Sequence, residues 1–292
     1  MDSEGPPLKR SRQENGQPLP PLSLSILGVE PMDEFIKEIA DFVHHMIMTN
    51  KPTEGATVEV EAKIGVLKDK MTGQRLHLPV LVETILQPDS MDCRFESNMS
   101  SHQHKHFNGL LNNLKMTSSQ PGYASTPLDY HHSYHIDSFY ESSGRDRIRV
   151  TKEEKTGNIL ESIRKVRLGD LNIYSPKRNA DWRVSVSLEV EVPQPMGKPA
   201  HTRRKDRLSY THEEFSIDLT QVTATVSSGV SKAEVLHELE LEIARPELLL
   251  YTASKRGDPN ASEHEKSAFD ELIRAFVNNA RILVRNASEG WH

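Results

Sequence analysis

The sequence predicts a mainly β (α+β) domain: a closed antiparallel eight-stranded β-barrel tunnel with packing helices outside. Three observations predict it. Several segments alternate apolar and polar residues with a period of two. Their polar faces carry one sign of charge each, acidic near residues 60 and 240 and basic in between. Turn-like residues link most of these segments, which argues for antiparallel pairing rather than βαβ units.

Residues 1–29 read as a disordered tail, rich in Pro, Gly and charge and without an apolar period. The Lys9-Arg10-Ser11-Arg12 cluster fits a nuclear address. The domain is expected over 30–287. A helix opens at Pro31-Met32-Asp33, with Phe35, Ile36, Ile39, Phe42, Val43, Met46 and Ile47 at helical spacing. A second covers His102 to Met116, with Phe107, Leu110, Leu111 and Leu114 on one face. A third starts at Ser262, whose spacing to Glu265 is that of a capping box, and carries Phe269, Leu272, Ile273, Phe276, Ala280 and Leu283. His44, His45, His102, His104 and His106 are expected on the wet faces of these helices.

Strict alternation marks Thr57–Leu67, Arg183–Val192 and His237–Ile243 as strands. Further strands are expected at Arg75–Leu86, His131–Tyr140, Asp146–Lys152, Asn158–Arg167, Arg203–Tyr210 and Glu213–Leu219.

Hydrophobic residues make up 36% of the 292 and charged residues 27%, a composition that excludes collagen-like, mucin-like and wholly disordered classes. No apolar run reaches the roughly 18 residues of a membrane helix, and the N-terminus carries no signal-peptide pattern. Cys93 is the single cysteine, so neither an intrachain disulfide nor a Cys-rich zinc site is available. Net charge is −6, yet Arg145–Arg207 holds 16 Lys/Arg against 9 Asp/Glu. That asymmetry suggests an anionic ligand for one part of the molecule.

Ordinarily the charged side of an alternating strand faces water. Here Glu59 and Glu61 share one face, as do Glu238, Glu240 and Glu242, and neighbouring glutamates repel unless a cation lies between them. Other strands offer Arg147 and Arg149, Lys165 and Arg167, and Arg203, Lys205 and Arg207. A barrel with its apolar faces outward places all these charges in one lumen, which about eight strands leave wide enough for side chains or a small ligand. Carboxylates suit Mg²⁺ or Mn²⁺, and arginines suit phosphate. Together they are the equipment of phosphoryl transfer.

Six segments, VEVEAKIG at 58–65, PVLVET at 79–84, SLEVE at 187–191, RRKDRLS at 203–209, IDLT at 217–220 and HELELE at 237–242, resemble the fungal mRNA-capping RNA 5′-triphosphatases. That family belongs to the triphosphate tunnel metalloenzymes, and the resemblance runs in order over about residues 30–285. It implies removal of the γ-phosphate from the 5′-triphosphate end of pre-mRNA. It also implies Glu59, Glu61 and Glu242 as metal ligands supported by Glu240 and Glu238. Arg149, Lys205 and Arg207 would hold the γ-phosphate, with Lys165 and Arg203 nearby. Glu189 would orient the attacking water, and Asp218, Thr220 and Lys63 would support these groups. A nuclear site of action and a homodimer are implied as well, with no membrane. Guanylyltransferase or the RNA polymerase II tail stand as further partners.

Two positions depart from the pattern: Ile64 stands where a relative carries an aromatic, and Ser216 where it carries Arg. The tandem-Trp segment by which some relatives bind guanylyltransferase is missing, since Trp182 and Trp291 are the only tryptophans. Three alternatives remain open: a tunnel enzyme acting on nucleoside triphosphates or inorganic polyphosphate, a non-catalytic anion-binding barrel, and an ordinary half-exposed sheet.

Overall fold

The structure, a computed structural model, describes residues 22–23, 25–31, 33–141, 147–226 and 234–291. Most of the expected tail, with the Lys9–Arg12 cluster, lies outside the described residues. The chain divides into two units, Met1–Asp33 and Glu34–His292. In the first, Ser25 Oγ donates to the Val29 carbonyl at 2.6 Å across a turn. Among the described residues, every helix and strand lies in the second.

In chain order these are α1 (Glu34–Thr49), β1 (Ala56–Asp69), β2 (Thr84–Leu86), β3 (Cys93–Glu96), α2 (Ser101–Ser118), β4 (Asp129–Glu141), β5 (Arg147–Glu153) and β6 (Ile159–Tyr174). There follow β7 (Asp181–Glu191), β8 (His201–His212), β9 (Phe215–Val226), β10 (Glu234–Ile243), α3 (Pro246–Lys255) and α4 (Glu263–Arg285). Eight strands close a barrel in the order β1-β7-β6-β5-β4-β8-β9-β10, with β10 pairing back to β1, and every pairing is antiparallel. The expected closed eight-stranded barrel is the observed one.

Its outer face is apolar. Val58, Val60, Ala62 and Ile64 of β1, Trp182, Val184 and Val186 of β7, and Leu239, Leu241 and Ile243 of β10 are all buried. α1, α3 and α4 pack on one another and on this face, while α2 covers β9 and β10. The helical stripes supply the other half of the core: Ile39, Val43, Phe269, Ile273, Phe276 and Ala280 are fully buried. At about 25 cal/mol per Å² of apolar surface, this layer is the main stabilising term. It leaves the inward faces of the strands free to be polar. α4 opens as its sequence requires: Ser262 accepts from the Glu265 N–H and Glu265 accepts from Ser262.

The structure corrects some of these expectations and adds one helix; β9, for one, runs Phe215–Val226 rather than Glu213–Leu219. Arg75–Leu86 is not one strand. It makes an isolated bridge at Arg75 and only β2 at its end, because Pro79 has no N–H to give a ladder. Leu76 and Leu86 instead join Leu67 and Tyr174 in a small cluster. β6 does not stop at Arg167 but passes a bulge between Arg167 and Gly169 and continues to Tyr174. α3 was not signalled; its Pro246 lies in the first turn, where the missing N–H costs nothing. Two histidines leave the water: His44 Nε2 lies 3.0 Å from the Ala253 carbonyl, and the ring of half-buried His104 lies 4.7 Å from that of His237. Burial, with His237 beside it, pushes His104 down to about 4.

Gly65 marks the point where β1 leaves β10 and takes up β3. A Cβ there would stand 2.4 Å from the Glu96 carbonyl oxygen, a backbone atom that cannot turn aside. Gly65→Ala is therefore expected to destabilise the barrel by about 3 kcal/mol, seen as a lower denaturation midpoint. An unchanged midpoint would show that β3 is free to move.

Candidate active site

Register brings the acidic strands face to face. Glu61 lies opposite Glu242, and Lys63 opposite Glu240. On the other side of β1, Glu59 and Glu61 lie opposite Ser187 and Ser185 of β7. Both serines are fully buried. Their small side chains let β6 residues reach over β7 to the glutamates: Lys165 Nζ pairs with Glu59 and lies 3.7 Å from Glu61, and Arg167 lies 3.8 Å from Glu61. Lys63 pairs with Glu240 and lies 3.6 Å from Glu61.

The basic strands face this corner. Arg149 of β5 donates to Glu161 at 2.8 Å and to Glu189 at 3.2 Å. Lys205 of β8 lies 2.7 Å from Asp137 of β4. Arg207 lies 2.9 Å from Asp218, donates to Thr220 Oγ1 at 3.2 Å and lies 3.9 Å from Glu240. His135, Asp137, Arg149, Thr151, Glu161, Lys205 and Arg207 surround a cavity of about 250 Å³.

The expected site residues other than Arg203 thus line one lumen in two groups. Glu59, Glu61, Lys63, Lys165, Glu240, Arg207, Asp218 and Thr220 are linked to one another. Lys205, Arg149 and Glu189 are linked through Asp137, Thr151 and Glu161. Glu242 joins the first group by register opposite Glu61, and Glu238 accepts from Ser97. Arg203 lies apart, exposed near one end of the barrel, with its guanidinium 5.1 Å from the Phe139 ring centroid. Lys63 holds Glu240, and Asp218 with Thr220 holds Arg207, as supporting groups should. Ser216, in place of the expected Arg, donates to Asp218 at 3.1 Å. Ile64 is buried on the outer face, so that departure removes no lumen charge.

Sequence reasoning missed Asp137, Thr151 and Glu161. Thr151 Oγ1 lies 2.8 Å from Asp137 and 2.9 Å from Glu161, tying the partner of Lys205 to the partner of Arg149. The signal was parity: Glu161 shares a strand face with Lys165, and Thr151 with Arg149.

The charges are uneven in their compensation. Burial opposes ionisation of Glu240, but Lys63 and Arg207 overcome it and hold that carboxyl well below the usual range. Burial and the negative charges of Glu59, Asp218, Glu61 and Glu189 push Glu242 up to about 8. Burial likewise raises Glu61, with Glu240 and Glu59 adding to it against Lys63. Glu61 Oε1 is buried and makes no hydrogen bond. Burial, with Arg207 and Arg149 alongside, lowers Lys205 despite Asp137. The lumen therefore has a corner where burial and crowding disfavour the charge of two carboxyls, Glu61 and Glu242, and, facing it, a wall of cations.

Among the described residues no three Asp, Glu, His or Cys side chains are gathered tightly enough to hold an ion as they stand. Lys165 and Lys63 occupy the glutamates instead. The donor set nevertheless fits a hard divalent cation, since it offers only carboxylate oxygens. Glu61 and Glu242 carry the repulsion that such an ion would relieve.

A family model described as "mRNA capping enzyme, beta chain" matches residues 29–289. The mRNA-capping enzyme subunit beta of Schizosaccharomyces pombe is 36% identical over 275 residues, 92% of this chain and 87% of that protein. The solved S. pombe Pct1 RNA triphosphatase is similar with a TM-score of 0.81 at 36% identity, over 93% of this chain and 100% of that one. The same protein in complex with the Spt5 CTD gives a TM-score of 0.82 at 35% identity, with the same coverage.

Proposed function

The chain belongs to the mRNA capping enzyme beta-chain family, and from that premise we propose how its tunnel performs the family's reaction. The protein is an RNA 5′-triphosphatase, a hydrolase of the capping pathway. Water adds to the γ-phosphorus, the bond to the β-phosphate oxygen breaks, and a 5′-diphosphate end and inorganic phosphate result. The observation that carries the reading is the juxtaposition, in one closed lumen, of the facing carboxyls Glu61 and Glu242 with Arg149, Lys205 and Arg207.

Glu59, Glu61 and Glu242 are the residues that would hold Mg²⁺ or Mn²⁺, with Glu240 kept in place by Lys63. Such an ion would supply Lewis-acid stabilisation of charge on the phosphate oxygens. Arg149, Lys205 and Arg207 bind the γ-phosphate, joined by Lys165, which an ion at Glu59 would free for that task. Asp137, Glu161, Asp218 and Thr220 aim these cations before substrate arrives, so the reaction pays little for reorganisation. Glu189, beside Arg149, orients the attacking water.

The test is divalent-dependent release of labelled phosphate from γ-labelled triphosphate-ended RNA, run beside ATP and tripolyphosphate. A preference for ATP or tripolyphosphate with no release from RNA would overturn the reading in favour of another tunnel enzyme. The fork of Arg149 provides a second check. A lysine ammonium cannot reproduce a planar guanidinium on phosphate. Arg149→Lys is expected to lose activity about tenfold or more, as one charge-assisted bond of roughly 1.5–3 kcal/mol requires. Wild-type activity in that variant would show the fork to be unused.

The reaction's place in capping supports a nuclear site of action. A homodimer is proposed on the resemblance. Because the Pct1 relative was solved in complex with the Spt5 CTD, a tail of the transcription machinery is the partner proposed for this chain. Guanylyltransferase is a second, without the tandem-Trp segment. No described helix is long and apolar enough to cross a membrane.

A further inference from the structure

The cations of the lumen account for the phosphates of the substrate, but none of them is suited to a nucleobase. One feature of the inner wall is. Phe139 of β4 and His201 of β8 stand opposite each other in register. Their rings lie parallel, 4.4 Å between centroids and 5° between planes. Alternation places both on the lumen side: Phe139 shares its face with His135 and Asp137, and His201 shares its face with Arg203, Lys205 and Arg207. They are the aromatic pair on two strand faces that are otherwise polar. Both are only half-buried, and they sit at the end of the barrel where β4 finishes and β8 begins.

Two cations accompany the pair. Arg203 lies 5.1 Å from the Phe139 centroid. Burial, Arg203 and Arg147 together push His201 below its usual range, which keeps the ring neutral. Deeper in the lumen, Arg149, Lys205 and Arg207 each have a carboxylate partner. Arg147 and Arg203 have none among the described residues. Phe139 is also in register with Arg149 on β5. With strands about 4.8 Å apart, the ring pair lies roughly 5–10 Å from the γ-phosphate site, the reach of the remaining phosphates and the ribose.

We propose that Phe139 and His201 form a stacking platform for the first nucleobase of the RNA, with Arg147 and Arg203 on the phosphates that join it to the γ-phosphate site and to the next nucleotide. The proposal rests on the reading of the lumen as a site for triphosphate-ended RNA. Stacking on an aromatic face takes any base, and arginine adds cation–π attraction. It would give the enzyme affinity for a nucleic-acid end without reading its sequence.

Full-length Phe139→Leu, His201→Ala and Phe139→Tyr are compared on two substrates, a short triphosphate-ended RNA and inorganic tripolyphosphate, which has no base. The kcat/KM ratio of RNA to tripolyphosphate is expected to fall about fivefold or more in Phe139→Leu and His201→Ala and to recover in Phe139→Tyr. An RNA beginning with 2-aminopurine, bound without divalent ions, is expected to be quenched by the wild type and less by Phe139→Leu. An unchanged ratio, or equal losses on both substrates, would overturn the platform alone and leave the triphosphatase reading standing. Wild-type hydrolysis of tripolyphosphate without hydrolysis of RNA would overturn both.

Discussion

Glu61→Ala is expected to lose turnover by about a thousandfold or more, and Glu59→Ala by a similar amount. A bound ion's electrostatic share of a phosphoryl transfer is several kcal/mol, and each 1.36 kcal/mol is tenfold in rate. Glu61 is the more telling of the two, because it is buried opposite Glu242 with one oxygen unsatisfied. In the metal-free protein its removal takes away a carboxylate whose charge burial already disfavours, so the variant is expected to melt close to the wild type while losing activity. A structural glutamate would do the reverse.

The pH dependence has the same origin. Glu242, pushed up to about 8, keeps a proton in the folded protein that the unfolded chain has already released. Metal-free stability should therefore fall as pH rises from about 4.5 to 8, because the native state binds more protons there. Divalent ions should flatten that slope. Glu213→Ala and Glu265→Ala are the controls. Glu213 sits in the β8–β9 turn, and Glu265 caps α4. Glu265→Ala should cost about 1 kcal/mol of stability and leave chemistry intact. Near-wild-type turnover in Glu61→Ala would remove the metal assignment.

Most of the barrel was legible because an inverted pattern is rare: apolar faces pack outward on helices, so uniform acidic or basic faces had to share an interior. Parity alone assigns Glu59, Glu61, Lys63 and Glu238, Glu240, Glu242 to that interior. What parity cannot give is the closure itself. That Glu61 meets Glu242, and that Lys165 crosses over Ser187 to Glu59, depends on the register between strands far apart in sequence. The partners of the cations were hidden for the same reason. Asp137 and Glu161 look like single surface acids until β4, β5 and β6 are placed side by side. Pro79 broke an apparent strand, and Pro246 opened a helix that the sequence analysis did not read.

Glu189→Gln separates catalysis from scaffolding. Glu189 lies across from Lys165 in register and 3.2 Å from Arg149, so it could either orient water or anchor the arginine. The structure weakens the anchoring account, because Arg149 has a shorter bond to Glu161, at 2.8 Å. A glutamine oxygen at 189 can still accept from Arg149. Phosphate affinity and melting temperature are therefore expected to stay close to wild type. What glutamine lacks is the negative charge that draws a proton from the attacking water as the transition state forms. Loss of a positioned acid–base group costs about a hundredfold, and a group acting in the transition state lowers kcat rather than raising KM. The variant is thus expected to bind Mn²⁺ and triphosphate-ended RNA and to turn over about a hundredfold more slowly. If kcat held while KM rose and the protein melted earlier, Glu189 would be the brace of Arg149. The water would then be oriented by another lumen carboxylate, with Glu161, the other acid on Arg149, the next residue to replace.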